Sequence, residues 1–232
     1  MNCSDKITRE QLCQMFDHTN LKAYADEEML QTLCEEAKEN HCAMVAINSS
    51  PVSYCKELLK DTNIHVGAAI SFPLGQTTVA AKVFEAQNAI ENGADEIDYV
   101  INIGELKNKN YQYIESEMKA MVELCRSNKV ISKVIFEICY LTEDEIKKVS
   151  EIAKKVKPDY IKTSTGFGTS GAVKEIVRLM KNCVGEDVKV KAAGGIRSWK
   201  TCAEMIGAER IGTSSTIKIL QEFDEVRAGK SI

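Results

Sequence analysis

An apolar strand pattern followed by an amphipathic helix pattern occurs eight times from Phe16 onward. In residues 79–90, for example, apolar side chains recur at spacings of four, three and four, which places them on one face of a helix. Alternating strands and helices predict a parallel sheet, because each helix returns the chain to the edge where the next strand begins. Eight units in a chain of 232 residues favour an α/β fold, a closed (β/α)8 or TIM barrel, with a short N-terminal helix at residues 6–15. We interpret residues 1–232 as a single domain, since no break in composition separates the units.

An open, doubly wound sheet is the structural alternative to a barrel. Such sheets usually contain about five or six strands, and a glycine-rich turn follows their first strand. This chain has eight strand patterns, and no glycine-rich turn follows the first of them. The barrel is therefore favoured, with strands predicted at residues 16–21, 43–47, 66–70, 96–101, 133–138, 160–162, 188–192 and 210–213.

Charge and composition exclude several classes of partner. The 30 Lys and Arg residues nearly balance the 34 Asp and Glu residues, and no basic tail or stripe is present, so nucleic acid is not an expected partner. Residues 1–6 lack the apolar core of a signal peptide, and no apolar stretch is long enough to cross a membrane. We therefore expect a cytoplasmic protein that does not bind membranes.

The nine cysteines are scattered and never form a Cys-x-x-Cys pair. Most lie within apolar helix or strand patterns, where a free thiol behaves as a small hydrophobic side chain. Neither a disulfide framework nor a zinc site is expected, which agrees with a reducing cytoplasm. The three histidines, His18, His41 and His65, also lack the spacing of metal ligands, so no metal site is predicted.

Three charged residues lie within or at the end of predicted strands that are otherwise apolar. Asp98 has apolar neighbours in the fourth strand, Lys162 ends the sixth, and Lys191 lies late in the seventh. Because buried charges are rarely unpaired, one acid and two amines would stabilise one another at the barrel mouth, where barrel enzymes hold their active sites. One alternative is that Lys162 reaches the surface. Another is a purely structural ion-pair layer, which Lys189 would join one layer lower because it shares the side-chain parity of Lys191.

Two neighbouring lysines also have a chemical use. At a separation of roughly 6 Å and an effective dielectric constant of ~20, two ammonium groups repel by ~3 kcal/mol, which lowers one pKa by about two units. Burial lowers that pKa further. The neutral amine is the nucleophile for Schiff-base formation with a carbonyl, and a nearby carboxylate can move protons directly or through water. Lys162, Lys191 and Asp98 are therefore candidate catalytic residues.

The last two strand-to-helix loops have the composition of an anion site. Gly194 and Gly195 follow the seventh strand, and residues 212–215 (Gly-Thr-Ser-Ser) follow the eighth and open a helix. Glycines let backbone N–H groups approach an anion, a helix N-terminus favours negative charge, and hydroxyls add donors. Many barrels hold phosphate at these loops, so we predict a phosphorylated substrate. The alternative is that the two glycines only form a tight turn.

Five motifs, in order over nearly the whole chain, resemble those of the deoxyribose-phosphate aldolases. They are residues 17–21 (Asp-His-Thr-Asn-Leu), 72–75 (Phe-Pro-Leu-Gly), 96–104 (Glu-Ile-Asp-Tyr-Val-Ile-Asn-Ile-Gly), 162–167 (Lys-Thr-Ser-Thr-Gly-Phe) and 191–197 (Lys-Ala-Ala-Gly-Gly-Ile-Arg). The resemblance implies that Lys162 forms the Schiff base, that Lys191 lowers its pKa, and that Asp98 transfers protons with a water molecule. It also implies a substrate and phosphate site made by Asp17, Thr165, Gly166, Gly194, Gly195, Ile196, Arg197, Gly212, Ser214 and Ser215.

The reaction implied by the resemblance is the reversible cleavage of 2-deoxy-D-ribose 5-phosphate into D-glyceraldehyde 3-phosphate and acetaldehyde, with no cofactor. A homodimer or a higher homo-oligomer is expected. The chain departs from the family at three places: Ala46 stands where a cysteine is frequent, Ser71 stands where glycine is usual, and the end of the chain lacks a tyrosine. None of these changes affects a residue that the resemblance places in the chemistry.

Three other functions remain open from the sequence. The first is a Schiff-base aldolase with another acceptor. The second is a phosphosugar-binding barrel without catalysis, in which the lysines would stay charged and ion-paired. The third is a phosphosugar isomerase, which needs a base and an electrophile but forms no imine.

Overall fold

A computed structural model of the protein describes residues 6–230. The predictions made for residues 1–5 and for the last two residues lie outside this range. The latter include the absence of a terminal tyrosine. Among the described residues, no helix is both long and apolar enough to span a membrane.

Eight parallel strands pair in chain order, and β1 also pairs with β8, so the sheet closes into a barrel. The predicted (β/α)8 fold is confirmed. The strands are β1 (Phe16–Thr19), β2 (Met44–Asn48), β3 (His65–Ile70), β4 (Glu96–Val100), β5 (Ile131–Ile135), β6 (Tyr160–Lys162), β7 (Lys189–Ala193) and β8 (Arg210–Thr213). The helices are α1 (Arg9–Cys13), α2 (Glu27–Glu39), α3 (Val52–Leu58), α4 (Val79–Glu91), α5 (Ile103–Lys107), α6 (Tyr111–Ser127), α7 (Glu143–Val156), α8 (Lys174–Val184), α9 (Trp199–Glu204) and α10 (Thr216–Arg227).

Most strands agree with their predicted bounds to within one or two residues, and three other differences have a local cause. The helix α1 is shorter than the predicted segment 6–15, because it begins only after Thr8, whose side chain caps it. The strand β5 ends before its predicted last residue, because Glu137 adopts a left-handed backbone (φ 44°) and residues 138–140 form a 3-10 turn. The five-residue helix α5 was not predicted, since it is too short for an apolar period; Asn102 caps it.

The side chains of each strand alternate between the barrel axis and the surrounding helices. In β4, Ile97 and Tyr99 pack in the apolar core between strands and helices, whereas Glu96 and Asp98 point toward the axis and form ion pairs there. The apolar core is therefore the layer between the barrel and its helices. Of the residues that the structure describes, seven buried charged side chains lie in the barrel interior, which are Asp17, Glu96, Asp98, Lys133, Lys162, Lys191 and Arg210.

A separate buried ion pair lies outside the barrel, between α4 and α6. Lys82 Nζ lies 2.6 Å from Glu117 Oε1 and donates to the carbonyl oxygen of Val100 at 2.6 Å. Glu117 also accepts a hydrogen bond from the backbone N–H of Asn102 at 3.0 Å. Both charged side chains are fully buried, and burial lowers the pKa of Lys82 and raises the pKa of Glu117. The pair holds the turn between β4 and α5.

We expect Lys82→Met to lower the free energy of unfolding by about 3–5 kcal/mol, because Glu117 would remain buried without its partner. Urea unfolding followed by circular dichroism measures this loss. The matched control is Lys60→Met, which removes an exposed ion pair with Glu57 and should change stability little. Similar losses in the two variants would contradict a structural role for the buried pair.

Candidate active site

Asp98 lies at the centre of a cluster of lysines inside the barrel. Its Oδ2 atom is 2.8 Å from Lys162 Nζ and 2.6 Å from Lys191 Nζ, and its Oδ1 atom is 2.9 Å from Lys133 Nζ. Strand register explains the grouping, because Asp98 pairs with Lys133 across β4 and β5. Lys162 likewise pairs with Lys191 across β6 and β7. The structure therefore brings the three predicted catalytic residues into contact and adds a fourth side chain that the sequence analysis missed.

A second layer of ion pairs lies beneath Asp98, toward the N-terminal ends of the strands. Asp17 Oδ2 is 2.5 Å from Lys191 Nζ, and Asp17 Oδ1 accepts a hydrogen bond from Arg210 Nε at 2.6 Å. Glu96 forms ion pairs with Lys133 and Arg210. Asp17 was predicted to line the substrate site, but it is fully buried in this layer and does not reach the cavity wall.

Lys189 does not extend the buried cluster, as the alternative of a purely structural ion-pair layer would require. It is exposed, and its Nζ atom lies 5.4 Å from the centre of the Tyr160 ring. As the first residue of β7, it lies at the open lower end of the barrel, where its ammonium group stays hydrated. The additional buried lysine is Lys133, which lies in the middle of β5.

The pKa of Lys162 is lowered to about 8, and burial is the largest cause. The carboxylate of Asp98 opposes this shift, whereas the ammonium groups of Lys191 and Lys133 add to it. Repulsion by Lys191 was predicted as the first cause of this lowered pKa, but in the structure its effect is smaller than that of burial. The amine of Lys162 is therefore partly neutral near pH 7, as a nucleophile must be.

Asp98 and Lys133 are held in their charged forms. Burial alone would raise the pKa of Asp98, but the ammonium groups of Lys133, Lys162 and Lys191 outweigh it and hold this pKa well below its usual value. Burial would likewise lower the pKa of Lys133, but Asp98 and Glu96 outweigh it and raise this pKa. Lys133 and Lys162 thus contact the same carboxylate, but the pKa of Lys133 is raised and that of Lys162 is lowered.

The charges of the barrel interior explain why Lys162 is the amine that loses its proton. Within residues 6–230, the interior holds three carboxylates and four cationic side chains. A buried cluster is least costly when its charges cancel, and a neutral Lys162 makes their numbers equal. Lys162 is also the only one of the four cationic groups that lines the cavity above the cluster.

A cavity of about 410 Å³ opens at the C-terminal ends of the strands. Lys162 forms part of its floor, while Asp98 and Lys191 lie below it. Ser215, which was predicted to line the site, is at the N-cap of α10 and is not on the wall. Eight predicted substrate residues do line the cavity, and they are Thr165, Gly166, Gly194, Gly195, Ile196, Arg197, Gly212 and Ser214.

The loops after β7 and β8 form one side of this cavity. Gly194 and Gly195 have φ values of 87° and 76°, which favour glycine, and a Cβ at Gly194 would lie 3.0 Å from the backbone of Gly171. No side chain in the described part of the chain caps the N-terminus of α10 at Ser215, so the first N–H groups of this helix are available to a ligand. Arg197 adds a positive charge on the same wall. This side of the cavity suits an anion.

The loop after β6 is held by a contact that the sequence did not indicate. The carboxylate of Glu137 accepts hydrogen bonds from the backbone N–H of Thr165, at 3.2 Å, and from its hydroxyl. The left-handed backbone of Glu137 turns its side chain toward this loop. The cavity wall beside Lys162 is therefore fixed by the segment that follows the neighbouring strand β5.

We expect Lys133→Met to lower the free energy of unfolding at pH 7, and Lys162→Met to leave it unchanged or raise it. The raised pKa of Lys133 means that its charge stabilises the folded state at all pH values below the unfolded pKa. The lowered pKa of Lys162 means that its charge destabilises the folded state fully below about pH 8. Urea unfolding at pH 7 compares the two variants. A larger loss for Lys162→Met would contradict this assignment of charges.

The chain is similar to known aldolases over most of its length. The model of a family described as DeoC/LacD family aldolase matches residues 12–221. Deoxyribose-phosphate aldolase of Lactobacillus acidophilus is 58% identical over 218 residues, which cover 93% of this chain and 92% of that protein. Deoxyribose-phosphate aldolase of Thermococcus kodakarensis is 47% identical over 219 residues, which cover 93% of this chain and 98% of that protein.

A solved structure is similar over nearly the full length of the chain. It is the deoxyribose phosphate aldolase of Aeropyrum pernix, which is described as having a unique tetrameric structure. The TM-score is 0.89 at 28% sequence identity, and the match covers 96% of this chain and 95% of that one. With the family model and the two close relatives, it shows that the chain belongs to the DeoC/LacD family of aldolases.

Proposed function

We propose that the protein is a class I aldolase that cleaves 2-deoxy-D-ribose 5-phosphate reversibly into D-glyceraldehyde 3-phosphate and acetaldehyde, in the breakdown of deoxyribonucleosides. Relatives named deoxyribose-phosphate aldolase match more than nine-tenths of the chain. The observation that carries the proposal is the position of Lys162. Its amine has a pKa of about 8, lies on the floor of the cavity and contacts the carboxylate of Asp98.

The reaction begins when the neutral amine of Lys162 attacks the C1 aldehyde of the open-chain sugar. The carbinolamine loses water and becomes an iminium ion. A proton then leaves the C3 hydroxyl, through water to Asp98, and the C2–C3 bond breaks. The electron pair of that bond converts the iminium into an enamine, and glyceraldehyde 3-phosphate departs. Protonation of the enamine at C2 and hydrolysis release acetaldehyde and restore Lys162.

Asp98, Lys191 and Lys133 support these steps through their charges. The iminium ion places a permanent positive charge where Lys162 had a partly neutral amine, and Asp98 Oδ2, 2.8 Å from Lys162 Nζ, stabilises it. Lys191 and Lys133 keep Asp98 ionised, since both contact its carboxylate. They also disfavour a charge on free Lys162 before the substrate arrives.

The phosphate of the substrate is proposed to bind at the loops after β7 and β8. The backbone N–H groups around Gly194 and Gly195 and the uncapped start of α10 supply donors, and Arg197 supplies charge. In this pose the phosphate end of the sugar lies on the loop side of the cavity and its C1 end lies over Lys162. The cavity volume of about 410 Å³ is sufficient for a five-carbon sugar phosphate.

The proposal extends to the state of the whole protein. We propose one domain over residues 1–232, acting in the cytoplasm as a homodimer or a higher homo-oligomer and without nucleic acid or membrane partners. The tetrameric Aeropyrum pernix structure supports an oligomer. The eight cysteines in the described residues are free thiols, which agrees with a reducing compartment.

Borohydride reduction in the presence of acetaldehyde tests the proposal directly. We expect a two-carbon adduct on Lys162, because borohydride reduces the iminium to a stable secondary amine. Peptide mass mapping locates the adduct, which should be lost in Lys162→Ala and weakened in Lys191→Leu. Lys189→Ala is the matched control, since this lysine is exposed at the other end of the barrel and should keep the adduct.

The alternatives predict different results in the same experiment. A protein that binds deoxyribose 5-phosphate but forms no adduct would be a binding barrel or an enzyme that uses no imine, such as an isomerase. An adduct on another lysine would keep the imine chemistry and overturn the role of Lys162. An adduct on Lys162 without cleavage of deoxyribose 5-phosphate would indicate an aldolase with a different acceptor.

A further inference from the structure

His18 is a buried histidine at the edge of the cavity that the proposed mechanism does not use. It belongs to β1, is only 3% exposed and forms part of the cavity wall. Its Nε2 atom lies 2.7 Å from Glu36 Oε2 on α2, and its Nδ1 atom lies 3.0 Å from the hydroxyl of Thr216, the first residue of α10. Both ring nitrogens have partners, so the ring bridges two helices that flank the cavity.

The chemistry of these partners defines the direction of both hydrogen bonds. The carboxylate of Glu36 can only accept, so Nε2 of His18 carries the hydrogen. In the neutral ring, Nδ1 then accepts a hydrogen bond from the hydroxyl of Thr216. Burial lowers the pKa of His18, and the hydrogen bond to Glu36 opposes that shift without cancelling it, which agrees with a neutral ring. The Thr216 hydroxyl is thus held in one orientation.

Thr216 connects His18 to both loops of the anion-binding side. Its Oγ1 atom lies 3.4 Å from the carbonyl oxygen of Thr213, but its one hydrogen is donated to His18, so the link to Thr213 is made by the backbone of residues 213–216. The hydroxyl of Thr213 in turn donates to the carbonyl oxygen of Ile196 at 2.6 Å and accepts from the backbone N–H of Ser215 at 2.9 Å. Ile196 belongs to the loop after β7, and Ser215 precedes α10. The hydrogen bond between Thr216 and His18, together with the backbone of residues 213–216, therefore connects His18 to the two segments that face the proposed phosphate.

His18 also affects the cavity wall through its hydrogen bond to Glu36. This carboxylate also lines the cavity, and its side chain is 38% exposed. A free carboxylate at that place would repel a phosphate group. The hydrogen bond from His18 satisfies one oxygen of Glu36 and ties the side chain to the ring.

We propose that His18 is a positioning residue for the phosphate end of the substrate. Through Thr216 it sets the start of α10 against the loop after β7, and it touches none of the reacting atoms. The inference rests on the proposed function, because it takes these loops as the phosphate site. Loss of the bond between His18 and Thr216 should therefore weaken the binding of phosphorylated ligands and leave the chemistry at Lys162 unchanged.

Variants of Thr216 isolate this hydrogen bond. Thr216→Val removes the hydroxyl with little change of shape, whereas Thr216→Ser keeps it. One lost hydrogen bond should raise KM for 2-deoxyribose 5-phosphate about 3- to 10-fold in Thr216→Val, with kcat changed by less than about twofold. Cleavage of unphosphorylated 2-deoxyribose should stay near the wild-type rate, and Thr216→Ser should behave as the wild type. His18→Phe should likewise raise KM for the phosphorylated sugar and leave cleavage of the unphosphorylated sugar near the wild-type rate.

Calorimetric titration with inorganic phosphate gives a readout that needs no turnover. Its Kd should rise about 3- to 10-fold in Thr216→Val and in His18→Phe. The matched control is His41→Asn, because His41 is an exposed histidine away from the cavity, and its Kd should equal that of the wild type.

The results separate this inference from the proposed function. If Thr216→Val and His18→Phe lose equal activity on the phosphorylated and the unphosphorylated sugar, or keep the phosphate Kd of the wild type, either result would overturn the role of His18. A wild-type protein that cleaves neither sugar would overturn the proposed function. The phosphate titrations would then still decide whether His18 positions the anion site.

Discussion

The contact between Asp98 and three buried ammonium groups is the interaction on which the rest of the site depends. Burial makes each charge costly, and a single carboxylate cannot stabilise three cations equally. Lys133 and Lys191 have second partners in Glu96 and Asp17, whereas Lys162 has only Asp98 among the described carboxylates. The lysine that faces the cavity therefore receives the least stabilisation of its positive charge. A reactive amine therefore results from how the interior distributes its carboxylates.

The fold separates the chemical half of the site from its binding half. The axis-facing side chains of the strands form the charged floor of the cavity. Their positions are set by the register of the paired strands and not by the loops. The loops after β7 and β8 form the anion-binding wall, which depends on glycine backbones and on polar contacts that reach β1 through His18. Changes in the wall should affect binding with little effect on the floor, because the two halves use different elements.

The sequence predicted the barrel and the three central residues because their signals are local. Eight strand and helix periods define the fold, and Asp98 and Lys191 stand out within apolar strands. The pattern missed Lys133 because the predicted fifth strand began at this residue, whereas β5 begins at Ile131. Glu96 and Arg210 were missed for a related reason: each is the first residue of its strand, where a charge is usually exposed. Only closure of the barrel buries these ends together.

Contacts between residues far apart in the chain could not be predicted from any local pattern. His18 and Thr216 are 198 positions apart, and Glu137 reaches the loop after β6 only because its backbone leaves the predicted strand. The capping box of Thr142 and Glu145 shows the contrast, since four consecutive residues specify this motif and it is present at the start of α7.

Titration of the lysine side chains by NMR tests the central claim most directly. In protein labelled with 13C at lysine Cε, the signal that is lost in Lys162→Met belongs to Lys162. We predict that this signal titrates near pH 8, and that the signal of Lys133 titrates above the ordinary lysine range. A Lys162 signal that titrates near the ordinary lysine value of about 10.4 would show a charged, ion-paired side chain and contradict the account.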